Sequence, residues 1–126
     1  MKHYVSAALV LAFGLAAQAN AGCDYPVAPG KFPDGTVATK DDMLAAKATV
    51  VKYNTDMDAY ITCITSEYDA KVAAATKATP DQKAEMDRVQ TQKQDAAVEE
   101  VKAVTERFNE QLRAWKAKNV PEKKPS

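Results

Sequence analysis

After His3 the chain contains no histidine, and after Gly35 it contains no glycine. Between Thr36 and Thr79 there is neither glycine nor proline. Each gap excludes something. With no glycine beyond position 35, no Gly-rich loop is there to cradle a phosphate. With neither glycine nor proline from Thr36 to Thr79, nothing in that stretch interrupts a helix. An excess of one charge is also missing, since 17 Lys and Arg stand against 17 Asp and Glu. That balance gives no electrostatic reason to expect a nucleic-acid partner.

What is present at the start reads as an export signal over residues 1–21. Lys2 supplies a positive start, and Val5 to Ala17 is an uncharged apolar run. Ala19-Asn20-Ala21 places small residues where signal peptidase needs them. The run is about 13 residues, short of the ~20 that a transmembrane helix requires. No later stretch is apolar enough to span a bilayer, so no transmembrane segment is expected in the mature chain. Cleavage after Ala21 leaves 105 of the 126 residues, enough for one domain. It also removes His3, and with Lys2 gone the 17 basic residues become 16 against 17 acidic, a net charge of −1. Ser-His-Asp and Cys-His arrangements and histidine metal sites are then excluded.

Two cysteines remain, Cys23 and Cys63. An even count in an oxidising compartment suggests one disulfide between them. Two alternatives stay open. Ala21-Gly22-Cys23 resembles the end of a bacterial lipobox, which would lipidate Cys23 and leave Cys63 free. Asn20, however, stands where a lipobox wants a branched apolar residue. Two free thiols are the other alternative.

Residues 22–39 hold Pro26, Pro29, Gly30, Pro33 and Gly35 and read as an irregular arm. Pro33-Asp34-Gly35 is a turn signal in which glycine is expected at positive φ. A helix is expected over 40–78, opened by Thr39 with Asp42 three residues on. Its apolar stripe is Met43, Ala46, Val50, Met57, Ile61, Ile64, Tyr68, Val72 and Ala75. Thr79-Pro80-Asp81-Gln82 signals a second start, and a helix is expected over 80–118. Its stripe is Met86, Val89, Ala97, Val101, Val104, Phe108, Leu112 and Trp115, and Pro121 ends it. Residues 119–126 read as a disordered tail. Two helices of this length, joined by a tight turn, form an all-α antiparallel hairpin over 40–118. Folding at Ala78-Thr79 sets Met43 against Trp115, Ala46 against Leu112, Val50 against Phe108 and Met57 against Val101. Tyr53 and Tyr60 flank the first stripe on one side, and Cys63 lies further round that side. A disulfide to Cys63 would therefore brace the arm across the tyrosines. Arm docking is expected to use Tyr25, Phe32, Tyr53 and Tyr60.

The carboxylate pairs Asp41/Asp42, Asp56/Asp58 and Glu99/Glu100 lack the spacing of a calcium loop. Helical neighbours one apart point in different directions, so these pairs read as solvated faces. The aromatics at helical spacing read as packing. Lys116, Lys118, Lys123 and Lys124 read as a basic helix end. No catalytic residue, metal site or cofactor is expected, and the chain is not expected to be an enzyme.

The pattern Cys23-Asp24-Tyr25-Pro26, Phe32-Pro33-Asp34-Gly35, then Met43, Tyr53, Met57, Tyr60 and Cys63 resembles small uncharacterised exported proteins of proteobacteria. The resemblance covers Cys23 to Cys63, and that family carries no established activity to transfer. By fold analogy alone, an exported helical hairpin resembles periplasmic chaperones and envelope adaptors. The expected protein is a non-enzymatic periplasmic binder, adaptor or chaperone-like hairpin. Its partner would be an envelope protein whose identity the sequence does not give, with a homodimer left open. The alternative is a lipoprotein tethered to the inner membrane that acts as a structural envelope spacer.

Overall fold

The computed structural model describes residues 22–121. The expected export signal, residues 1–21, and positions 122–126 of the expected tail lie outside them. Among the described residues there are two helices and no strand: α1, Lys40–Ala74, and α2, Pro80–Asn119. They pack against each other as an all-α hairpin. The preceding residues, 22–39, run as an irregular arm along one flank.

Both helices begin at capping boxes. The Thr39 hydroxyl accepts from the Asp42 amide, and the Asp42 carboxylate accepts from the Thr39 amide at 2.8 Å. Thr79 and Gln82 repeat the arrangement, with Pro80 in the first helical turn. Each box satisfies two backbone donors that the helix itself cannot. The two ends differ from expectation. Helix α1 stops at Ala74, short of 78, and its freed end is closed by the Ala75 amide on the Lys71 and Val72 carbonyls. Proline at 80 disfavours a helical Thr79. Val72, Ala73 and Ala74 are also exposed, so a further turn would bury nothing. Helix α2 continues through Asn119 before Val120 leaves the helix.

The core is one cluster of Met43, Ala46, Val50, Tyr53 and Met57 from α1 with Ala97, Val104 and Phe108 from α2. Ile61, Val101, Leu112 and Trp115 are half-buried against it. Met57, Ala97 and Val104 are fully buried. Complete burial of a side chain the size of Met57 is worth ~1.5–3 kcal/mol. Toward the turn the expected stripe fails: Val72 and Val89 are exposed and Met86 is only half-buried. There the helices meet through polar contacts, Gln94 Nε2 to Thr65 Oγ1 at 3.3 Å and the Tyr68 hydroxyl to the Asp87 carboxylate.

Candidate functional site: the arm and the flank it covers

The arm reaches the hairpin at three levels. At the first, Cys23 is bonded to Cys63 with their Cα atoms 5.7 Å apart, an ordinary disulfide separation. Two residues on, the Tyr25 ring stands edge-on to Tyr60, centroids 4.9 Å apart and planes at 71°. At the second level Phe32 lies edge-on to Phe108, 5.7 Å between centroids. Arg107 stands 5.9 Å from the Phe32 ring and donates to the Pro29 and Gly30 carbonyls, both at 3.2 Å. Such a guanidinium gains from the ring face as well as from the carbonyls.

At the third level the arm turns back into α1. The Asp34 carbonyl accepts from the Val37 and Ala38 amides, and its carboxylate accepts from the Thr36 amide and hydroxyl. Those hydrogen bonds, helped by the Lys118 ammonium, hold the Asp34 carboxyl below its usual range. Gly35 differs from expectation, because no glycine among the described residues has positive φ. Its need for glycine is spatial. A Cβ at position 35 would sit 1.9 Å from the Gln111 carbonyl oxygen and 2.8 Å from the Trp115 nitrogen. The arm backbone thus lies directly on the α2 backbone, and the Gly35 amide donates to Gln111 Oε1 at 3.0 Å.

Of the four residues expected to dock the arm, Tyr25 meets Tyr60, while Phe32 meets Phe108 on the other helix. Tyr53 belongs to the core and is 3% exposed. Its hydroxyl is buried with no hydrogen-bond partner. Burial raises the Tyr53 pKa, with Tyr25 and Glu100 adding and Arg107 opposing. Burial, then Glu100, also raises Tyr25. Three docking residues escape sequence reasoning: Gly35, Arg107 and Gln111. Pro26, Pro29 and Pro33 carry the nearest signal, because a segment short of amide donors presents carbonyls that need donors from elsewhere.

Among the described residues, Cys23, Cys63 and Glu67 bring three ligand-type atoms within 4.8 Å of one another. The two sulfurs are bonded together, so neither is a thiolate that could bind a metal. The carboxylate pairs resolve into separate tasks. Asp42 caps α1, Asp56 pairs with Lys52 and Glu99 pairs with Lys102. Lys118 donates to the Thr36 carbonyl and ties the basic helix end to the arm. No helix among the described residues is long and apolar enough to cross a membrane. Comparison with family models, with curated proteins and with solved structures finds no match.

Proposed function

We propose that this protein is an exported, non-enzymatic binding protein of the periplasm, acting as an adaptor or chaperone-like hairpin on an envelope partner. The observation that carries this reading is the Cys23–Cys63 bond across an otherwise irregular arm. A disulfide of this kind persists in oxidising compartments, in keeping with the export signal read over residues 1–21. The same bond weighs against a lipid-tethered spacer. Lipidation needs the Cys23 sulfur in a thioether, and that atom is already bonded to Cys63.

The use of the polar groups supports binding by exposed faces. The carboxylates of Asp42, Asp56, Glu85, Glu99 and Glu106 serve a cap or ion pairs on solvated helix faces. Leu44, Val51 and Val98 are exposed apolar side chains away from the arm. The test is a photo-crosslinking amino acid at 44 or 98 in intact cells that export the protein. A discrete adduct with one envelope protein is expected. If neither these positions nor any other exposed helix-face position gives an adduct, the reading fails. Mass spectrometry of the mature chain should find a free Gly22 amine, whereas an acylated Cys23 would return the spacer to first place.

A further inference from the structure

The flank that carries the arm continues past the point where the arm begins. Rows of residues spaced seven apart bound it: Tyr53, Tyr60 and Glu67 on α1, and Arg107, Glu100, Lys93 and Met86 on α2. Such spacing keeps side chains on one helix face, drifting only ~20° per step. The arm uses these rows level by level. Arg107 holds the Pro29 and Gly30 carbonyls, and Tyr25 stands against Tyr60 and within the field of Glu100. Cys23 is tied down beside Glu67, whose carboxylate lies within 4.8 Å of both sulfurs.

One step nearer the turn, the flank opens into a groove of about 170 Å³ lined by Ile64, Glu67, Tyr68, Met86, Gln90 and Lys93, among others. Glu67 therefore borders both the arm's anchor and the groove. Ile64 is buried and Met86 half-buried, which makes the floor apolar. Lys93 lines the rim in the same row as Arg107, two steps of seven along α2.

We propose that this groove binds an extended peptide segment of a partner protein, laid along the flank as a continuation of the arm. One large apolar side chain of that segment rests on Ile64 and Met86, and one of its backbone carbonyls accepts from the Lys93 ammonium, as the Pro29 and Gly30 carbonyls accept from Arg107. The arm is the template for this occupant. It is a proline-rich chain without regular secondary structure whose carbonyls are held by a side-chain donor and whose aromatic rings stand edge-on to Tyr60 and Phe108. The groove repeats that combination with the Lys93 ammonium and an apolar floor. A volume of about 170 Å³ falls below the ~300–1,000 Å³ of small-molecule sites, so it suits a side chain and not an enclosed cofactor. The Met86 thioether favours an aromatic group. Glu67 and Glu85 offset Lys71 and Lys93 on the rim, so the groove selects a segment without strong charge. This inference rests on the binding reading above and gives it a place on the molecule.

The probe is a blocked peptide with the sequence of residues 25–32, titrated into the oxidised, isotope-labelled protein and followed by amide NMR shifts. Saturable shifts confined to residues 64–71 and 85–93 are expected. Val89 is exposed on the rim, so Val89→Asp should fold and should weaken the peptide at least about tenfold by placing a charge against its apolar side chain. Lys93→Met should weaken it about fivefold, the value of one hydrogen bond. Leu44→Glu, away from the groove, should leave binding unchanged. The proposal is overturned if no shift saturates, if shifts map to residues 53–60, or if Val89→Asp and Lys93→Met bind as the parent does. Photo-crosslinking in cells separates this inference from the reading beneath it. Adducts from position 98 but not from 89 remove the groove and keep the binder, whereas the lack of an adduct from any exposed helix-face position removes both.

Discussion

Between Met43 and Ile64, helix α1 buries six side chains; from Thr65 to Ala74 it buries none. Helix α2 mirrors this, with Ala97, Val104 and Phe108 buried and nothing buried from Pro80 to Ala96. The base and the tip share one backbone geometry and one kind of capping box. What differs is the third layer. At the base the arm brings Ala28, Phe32 and Ala38 against the seam, so three segments enclose the apolar side chains. At the tip two helices cover only one stripe of each other, and Val72 and Val89 stay exposed. A helix pair needs a covering element before flanking residues leave water, and here that element is a segment without regular secondary structure.

The sharpest way to break this comparison is to truncate one apolar side chain at each end. Phe108→Ala should cost about 3–5 kcal/mol, because it empties a buried site that Phe32 also leans on. Val89→Ala at the tip should cost less than about 0.5 kcal/mol, as for other exposed substitutions. Urea unfolding of both variants measures the difference. Equal losses would mean that the tip is as well packed as the base.

The next effect concerns what holds the third layer. Cys23 and Cys63 are separated by 40 positions, and closing a loop of that size contributes about 3–4 kcal/mol in the chain-entropy description. Replacing both with Ala should lower stability by about that amount. Amides of residues 24–37 should lose exchange protection before those of the seam, because the α1–α2 contacts do not pass through the arm. Simultaneous loss of protection in arm and seam would show that the arm is integral to the hairpin and not a layer upon it.

Much of this architecture is legible in the sequence, and the reasons are physical. Thr39 with Asp42 and Thr79 with Gln82 mark both helix starts because capping is a local event. The base seam is legible because Met43, Val50, Met57, Val104 and Phe108 recur at helical spacing. The tip misleads because Val72 and Val89 keep the same spacing, and spacing alone does not reveal whether a third element arrives to bury them. Gly35 misleads in the opposite direction. A Pro-Asp-Gly turn suggests a need for positive φ, yet the requirement comes from helix α2, far away in sequence. Arg107 and Gln111 are illegible for a related reason: their partners are backbone atoms of the arm, which carry no residue signature.

Gly35 offers a gentler test of the third layer that leaves the disulfide intact. A methyl group there would meet the Gln111 carbonyl at 1.9 Å, and a backbone atom within a helix has little room to retreat. The arm must shift instead, losing the Gly35 amide bond to Gln111. Gly35→Ala should cost about 1–3 kcal/mol, the usual range for overpacking. Exchange protection should fall at residues 34–38 while the amides near Cys23 keep theirs. A variant as stable as the parent would place the arm farther from α2 than described here.

The smallest effect belongs to the tip and is a matter of pH. The Tyr68 hydroxyl donates to the Asp87 carboxylate, and that hydrogen bond is the main cause that raises the Tyr68 pKa, followed by desolvation and the Asp87 and Asp69 charges. A phenol whose folded pKa lies above its unfolded value adds stability below the unfolded pKa. That contribution is lost as pH climbs through the folded value. Alkaline solution should therefore loosen the tip first through this contact. Tyr53 at the base also has a raised pKa, but burial is the leading cause there and the residue is almost fully enclosed, so its ionisation should require opening of the arm. Stepwise ultraviolet titration of the phenols should show the Tyr68 step with the arm still protected from exchange, and Tyr68→Phe should remove that step alone. If Tyr53 ionises together with Tyr68, the arm does not shield it and the distinction between base and tip fails where it should be most visible.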